Sequence, residues 1–445
     1  MKLTPLALGL ALCGSALAAT PSLDASIDQD YPRLEKLYLN FHAHPEISFQ
    51  EVESAKRVAK ELKAQGYQVT TGFGGNGVVA VLRNGEGPTI LLRADMDALP
   101  VREQTGLPYA STVVMKNDEG KDVPAMHACG HDVHMTVLIG TARQLAERKN
   151  DWHGTLVLIG QPAEERSGGA KAMLADGLFE KFPRPDYNLA LHTSAVLPAG
   201  KVATTAGPAF ASVDSVDITV HGVGGHGAYP HKTKDPVVLA AELVLAFQTI
   251  VSRETAPQDS AVVTVGSIHG GTQHNIIPDE VKLQLTLRSY KDSVRQHTLD
   301  ALKRISDNYA RAAGLPEDKL PTIVIKNEHT PAAWNDPALT AHLMGVFAAS
   351  LGKDNVETIE PTMAGEDFGR YGLVEPKIPS VIFWLGGVDP VKFADAKAKG
   401  TDLPGLHSPY FAPLPEPTIK TGIKALTSAA IDLFHRRPGS LSTGS

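Results

Sequence analysis

The chain has 445 residues, too many for one compact core of ordinary size, so two domains are the default expectation. Its composition, 42% hydrophobic and 20% charged with 40 Gly and 31 Pro, is that of a soluble globular protein. A net charge of -7 without any basic block argues against a nucleic-acid partner and gives no reason to invoke an anionic membrane surface.

Residues 1–19 have the pattern of an export signal: Lys2 near the start, an apolar run from Leu6 to Leu12 too short for a bilayer, then small residues ending at Ala19. Cleavage after Ala18 or Ala19 is expected, placing the mature protein in the periplasm or outside the cell without a membrane anchor. Leu12 stands where a lipoprotein signal wants a small residue, which argues against lipidation at Cys13. No later segment is expected to reach membrane-spanning length. Signal removal leaves Cys129 as the only cysteine, which excludes an intramolecular disulfide. A lone thiol in an oxidising compartment is easier to understand if a metal holds it as thiolate.

In chain order, Leu34, Leu37 and Phe41, then Val52, Ala55, Val58 and Leu62, predict helix across 27–66, broken at Pro45. Strands are expected at 78–82 and 89–92, the second leading into Arg93-Ala-Asp95-Met-Asp97. Residues 132–148 read as a helix capped by Asp132, and 155–160 as a strand of the kind buried on both faces. That strand runs into Gln161-Pro-Ala-Glu164-Glu165. A helix over 169–176 stops at Gly177, and a strand over 187–191 ends on His192. Polar residues thus gather where strands stop, the edge at which open α/β sheets bind ligands.

From about Ser212 the pattern changes to strand, helix, two strands, helix and strand (213–220, 236–253, 261–268, 281–287, 292–313, 322–325), a βαββαβ order that predicts a small inserted sandwich with one antiparallel sheet. The first pattern returns at Asp336, with helices over 337–351 and 418–435 and a strand over 380–385. The tail beyond Arg437, rich in Gly, Ser and Thr, is expected to be disordered. The expected division is 20–208 and 331–437 for the catalytic domain, 209–330 for an inserted lid or dimerisation domain, and 438–445 for the tail.

The stretch Met126-His-Ala-Cys129-Gly-His131-Asp-Val-His134-Met places a thiol and three imidazoles around a glycine, ahead of a helix. Cys129 and His131 can point into one cleft from such a turn, and a thiolate with a neutral imidazole suits zinc, cobalt or a similar ion. Alone, the motif is equally an ordinary turn with a buried cysteine. Its companions are Arg93-Ala-Asp-Met-Asp-Ala-Leu-Pro100, Gln161-Pro-Ala-Glu-Glu165, Gly224-Gly-His-Gly-Ala-Tyr-Pro-His231, Gly365-Glu-Asp-Phe368 and Leu406-His407-Ser. With these blocks in this order, the chain resembles the aminoacylase and carboxypeptidase family of cocatalytic metallopeptidases, in the branch of bacterial amidohydrolases, hippurate hydrolases and plant auxin-conjugate hydrolases.

The resemblance implies an α/β metallopeptidase domain with a mostly parallel sheet flanked by helices, plus the inserted α+β domain. It implies two divalent metal ions, with Cys129 bridging, His131 and His192 completing one site, and Glu165 and His407 the other. Zinc, manganese, cobalt and nickel all remain open. Glu164 matches the general base that takes a proton from the attacking water. Asp97 matches a residue that orients a ligand imidazole, His131 in this reading. Asp95 stands where sister branches carry a ligand histidine, which leaves open a tight first ion and a weaker second. His226 would reach the partner subunit's site in a homodimer and donate to the oxyanion. Asn275 and Arg288 are candidates for holding a substrate carboxylate or oxyanion, with a sheet-surface charge the equal alternative for Arg288.

His42, His44 and Glu46 read as packing and rim residues, His127 and His134 as structural, and Glu366 and Asp367 as helix-start acids beside the site. The expected activity is hydrolysis of an N-acyl amino acid, or of the C-terminal residue of a short peptide. Two rivals stand beside it: a thiol amidase with Cys129 as nucleophile and His131 as base, and a non-catalytic metal- or peptide-binding protein.

Overall fold

The computed structural model describes residues 21–437. The expected signal segment and the tail from 438 lie outside the described residues.

The main sheet has eight strands, ordered Gln68–Phe73, Gly77–Asn84, Gly154–Gln161, Thr89–Asp95, Tyr187–Pro198, Ser380–Val388, Val202–Thr204, Val356–Thr358. It is parallel through its centre, from Gly154–Gln161 to Ser380–Val388. It turns antiparallel towards the edges, where Gln68–Phe73 and Gly77–Asn84 form a hairpin and Val202–Thr204 runs against Ser380–Val388. The central strands are buried on both faces, which explains their unbroken runs of Val, Leu and Ile.

One face packs on the helices Leu23–Ala43, His131–Glu147, Pro337–Leu351 and Pro415–Phe434 through Leu34, Val137, Leu343, Ile423 and their neighbours. The helix His131–Glu147 is buried nearly all round, and each of its large apolar side chains contributes about 1.5–3 kcal/mol. It lies against the last helix so closely that a Cβ on Gly140 would sit 2.3 Å from Ile423 Cδ1. The opposite face is closed by Phe73, Met173, Phe210, Phe368 and Tyr371.

Asp132 does not cap the helix as its position suggested. The N-cap is Gly130, in the left-handed conformation, and Asp132 lies inside the first turn, where its Oδ1 accepts from the Val133 amide at 2.9 Å and its Oδ2 is taken by the His42 ring at 2.7 Å. The strand carrying His192 runs on to Pro198, so that histidine sits within the strand rather than at its end.

A second, fully antiparallel sheet is ordered Ala261–Gly270, Glu280–Ser289, Ser212–His221, Thr322–Ile325. The helices Pro236–Thr249 and Asp292–Ala312 cover one face, giving a core of their own around Val216, Leu243, Phe247, Leu285 and Leu302. By length and a mean hydropathy of 1.5, the stretch Pro236–Glu254 is apolar enough to cross a membrane, which the sequence reading did not register. Its inward face, Leu239, Leu243, Phe247 and Ile250, lies against this sheet.

Candidate metal centre and active site

The site forms where the central parallel strands end. Leu99 and Met126 exchange backbone hydrogen bonds of 3.0 Å, which starts the Cys129 turn beside Asp97. Gly130 then adopts φ +81, and a Cβ there would stand 2.4 Å from Thr193 Oγ1, so both the conformation and the space require glycine. The Thr193 hydroxyl donates to the Cys129 carbonyl at 2.6 Å and ties the turn to the His192 strand. Cys129 Sγ thereby comes to 3.4 Å from His192 Nε2.

Both histidines have their tautomer set by a carbonyl, which can only accept. His192 Nδ1 donates to Thr193 O at 2.8 Å and His131 Nδ1 to Asp97 O at 2.7 Å, leaving each Nε2 lone pair free. The donor atoms of Cys129, His131 and His192 lie within 4.8 Å of one another, as do those of Cys129, Glu165 and His407. Cys129 belongs to both groups. His131 Nε2 and Glu165 Oε1 are buried without any hydrogen-bond partner, an arrangement that is costly unless an ion takes the lone pairs. Thiolate, imidazole and carboxylate donors at this spacing fit divalent transition metals.

Glu164 and Glu165 lie just beyond the strand Gly154–Gln161, after Ala163 in a left-handed conformation with φ 48. The Asp97 carboxylate accepts from the Glu164 and Glu165 amides, both at 3.0 Å, and from Ser48 Oγ at 2.6 Å. Asp97 therefore orients His131 through its backbone carbonyl, while its carboxylate, 3.5 Å from His131 Nδ1, chiefly holds the glutamate turn. His407 also has positive φ, 64; its amide donates to Ala128 O at 2.9 Å, and its Nε2 lies 3.4 Å from Glu165 Oε2 on the open rim.

Burial, then the Glu366 charge, pushes the Glu164 carboxyl well above the usual range, with Arg93 opposing. Burial likewise raises Glu165 to about 8 against the pull of His131, and raises the Cys129 thiol, with Glu165 adding to the effect. Burial disfavours the His131 cation, but Asp95 and then Asp97 outweigh it and raise its pKa to about 10 when no ion is bound; a divalent ion at Nε2 would supply that positive charge in place of the proton.

Arg93 matters here although its motif gives no local sign of a role, and the neighbours read as structural, rim or helix-start residues meet around it and the Cys129 turn. Arg93 is wholly buried: Nη1 donates to Asp95 at 2.8 Å, Nη2 to Glu366 at 2.7 Å and to Asp367 at 3.3 Å, and Nε to Gln161 Oε1 at 3.0 Å. Glu366 and Asp367 are thus counter-ions of Arg93 rather than caps of the helix that follows them, Gly369–Gly372. Asp367 also accepts from the Ala170 amide at 3.0 Å. Asp95 binds the His134 Nδ1–H at 2.6 Å, and His134 Nε2 accepts from the Thr193 amide at 2.8 Å, so His134 is a neutral strut between two strands. His42 lies beneath the rim, clamped between Asp132 at 2.7 Å and Glu103 at 3.1 Å. Both ring nitrogens of buried His127 lack partners.

The remaining candidates lie elsewhere. His226 is exposed on a two-residue strand paired with Ile276–Ile277, and its Nδ1 accepts from the Ala228 amide at 3.0 Å. Asn275 is its neighbour through Gly227 N to Asn275 O at 2.9 Å. Neither shares a hydrogen bond with the Cys129 group among the described residues. Arg288 is partly buried and donates to the Met363 carbonyl at 2.5 Å, a link between the second sheet and the chain leading to Glu366.

A family model described as Peptidase family M20/M25/M40 matches residues 91–431. The chain belongs to that family. This M20-family chain is 41% identical over 339 residues to the hippurate hydrolase of Campylobacter jejuni subsp. jejuni serotype O:2, covering 76% of this chain and 84% of that one. It is 34% identical over 358 residues to the N-acetylcysteine deacetylase of Bacillus subtilis, covering 80% and 88%. Among solved structures, a putative aminohydrolase of methicillin-resistant Staphylococcus aureus superposes with a TM-score of 0.80 at 30% identity, covering 93% of this chain and 99% of that one. A Bacillus subtilis M20 peptidase described as binding a dinuclear metal gives 0.72 at 27% identity, covering 92% and 99%. The chain is accordingly a metal-dependent hydrolase of the amidohydrolase and peptidase class.

Proposed function

We propose that this M20-family chain is an exported amidohydrolase that cleaves the amide of an N-acyl amino acid, or the C-terminal residue of a short peptide, with Glu164 as general base. The observation that carries this reading is the pair of donor groups sharing Cys129, with Glu164 beside Glu165 and His131. When bound, two divalent ions supply Lewis acidity that polarises the amide carbonyl and acidifies a water molecule. His131 and His192 present fixed lone pairs from one side, and Glu165 and His407 close the other. Glu164 removes the proton of the attacking water and returns it to the departing amine; burial, then the Glu366 charge, makes its carboxylate a stronger proton acceptor than an ordinary exposed one. The names of the relatives, hippurate hydrolase and N-acetylcysteine deacetylase, support an acylated amino acid as substrate.

A homodimer completes the reading, with residues 209–330 as the interface and lid. The outer face of the helix Pro236–Thr249 leaves Val238 55% and Leu245 73% exposed, and the neighbouring strand Ala261–Gly270 is a sheet edge. An apolar helix face beside an open strand edge suits self-association. It would carry His226 to the partner's site, where the ring donates to the tetrahedral oxyanion.

A thiol amidase is disfavoured, because burial raises the Cys129 thiol and no hydrogen bond among the described residues joins it to His131, the expected base; the imidazole within 3.4 Å of the sulfur is His192. Dialysis against a strong chelator should abolish hydrolysis, and add-back of zinc, manganese, cobalt or nickel should restore it. Glu164→Gln should keep its metal and lose at least about 100-fold in kcat. Retained hydrolysis in that variant would reject the base assignment.

A further inference from the structure

Three consecutive amides at the turn that aims the two glutamates donate to carboxylates. Those of Glu164 and Glu165 go to Asp97, and that of Ala163 goes to Glu51 Oε1 at 2.8 Å. Glu51 is 0% exposed and has no part in the chemistry described so far. It occupies the N-cap of the helix Val52–Ala64, where an acid ordinarily accepts from its own first turn, yet it makes no such bond. That work falls to Glu46, which accepts from Glu53 N at 3.1 Å and Ser54 N at 2.7 Å.

Glu51 Oε1 instead takes a second amide, Phe49 N at 2.7 Å. Phe49 and Ala163 are both left-handed, with φ 65 and φ 48, a conformation that costs a residue bearing a side chain about 1–3 kcal/mol. One buried oxygen thus joins two strained turns, and the Phe49 ring closes over the second: a Cβ on Gly168 would stand 2.6 Å from Phe49 Cζ. Burying a carboxylate is costly, so its retention here needs a reason beyond helix capping.

We propose that Glu51 is a positioning residue for Glu164, holding Ala163 in its left-handed conformation so that Glu164 faces the water and Glu165 faces its ligand position. The inference rests on Glu164 being the base. Asp97 fixes the far side of the turn and Glu51 the near side; without Glu51, Ala163 relaxes and the glutamate pair rotates away from its alignment.

The test compares Glu51→Gln, Glu51→Asp and Glu51→Ala in the metal-loaded enzyme, measuring kcat, KM, bound metal and thermal unfolding. A glutamine oxygen reaches both amides without a charge, whereas aspartate keeps the charge but is one methylene short. The expected result is kcat within about fivefold of native for Gln, and a fall on the order of 100-fold for Asp and Ala, with KM and metal content little changed. A charge-based role would favour Asp over Gln, and a merely structural one would lower the unfolding temperature or the metal content in step with kcat. Asp as active as Gln, kcat loss in proportion to metal loss, or unfolding of both the Gln and Asp forms would overturn the proposal. An active Glu164→Gln enzyme would instead overturn the base assignment, whatever the Glu51 series shows.

Discussion

Arg93 offers the sharpest test of how this site is held together. Arg93→Met keeps the length and apolar stem but removes the cation lying 2.8 Å from Asp95, 2.7 Å from Glu366 and 3.3 Å from Asp367. Breaking one buried ion pair by deleting a partner costs about 3–5 kcal/mol. Three acids share this guanidinium, but once it is gone the cheapest response is for some of them to bind protons. The loss should therefore stay near the top of that range rather than triple, a large fraction of a typical stability of about 5–15 kcal/mol. The sign of the pH dependence follows. Acids left without Arg93 have folded pKa values above their unfolded ones, so the deficit is greatest at high pH and shrinks as pH falls and they protonate. Asp367, which burial already pushes to about 7 against the pull of Arg93, should be the first to do so. The assay is denaturant unfolding at pH 8 and pH 5.5, followed by tryptophan fluorescence, to which Trp152 contributes from the main core, buried and stacked 4.3 Å from Phe434. A deficit below about 1 kcal/mol at pH 8, or one of equal size at both pH values, would refute this account.

His42 gives the opposite pH sign. Burial works against its cation, but the hydrogen bonds to Asp132 and Glu103 prevail and its pKa rises to about 9, so its stabilisation is full below about 6.5 and lost as pH climbs through 9. The shift corresponds to about 3 kcal/mol, and His42→Gln should flatten the stability profile between pH 6.5 and 9; an unchanged profile would reject the clamp. His226→Ala should cut kcat far more than it lowers metal content, and equal loss of both would contradict the oxyanion role.

What the sequence disclosed was what depends on residue type and spacing. Cys129 and His131, two apart around a glycine, and the consecutive Glu164 and Glu165 announce themselves because few other uses need those residues together. The βαββαβ alternation was equally readable, since a period-2 pattern in 213–220 and a period-3.6 pattern in 292–313 reflect which face is buried. The role of Arg93 is invisible in its motif, because its partners Glu366 and Asp367 lie more than 270 residues away and no local pattern encodes that meeting. Asp132 misled for a related reason: an acid at a helix start is a capping signal, and only the tertiary fold brings His42 to compete for it. Asp97 shows the subtler limit, since its contact with His131 runs through a backbone carbonyl, which every residue possesses.

The two halves of the candidate metal centre are not equally rigid, and this bears on how they should hold ions. Cys129, His131 and His192 lie 5%, 0% and 5% exposed, on a glycine turn, a buried helix and a central strand, each secured by hydrogen bonds to Thr193 or Asp97. Glu165 and His407 come from loops, and the His407 side chain is 55% exposed, anchored chiefly by one backbone hydrogen bond. A preorganised donor set loses little freedom on binding, whereas a rim histidine must be ordered by the ion itself. We therefore expect stepwise loss under a weak chelator. In the proposed two-ion site, the ion that Glu165 and His407 would hold should leave first, activity should fall with that first equivalent, and His407→Ala should purify with close to one ion per chain. His192→Ala, by contrast, should lose the tighter ion and unfold at lower temperature, because its ring also packs against His134 and Trp384 at 4.9 and 5.1 Å. Simultaneous release of both ions, or a His407→Ala protein that still carries two, would show that the exposed side of the site is as firmly organised as the buried one.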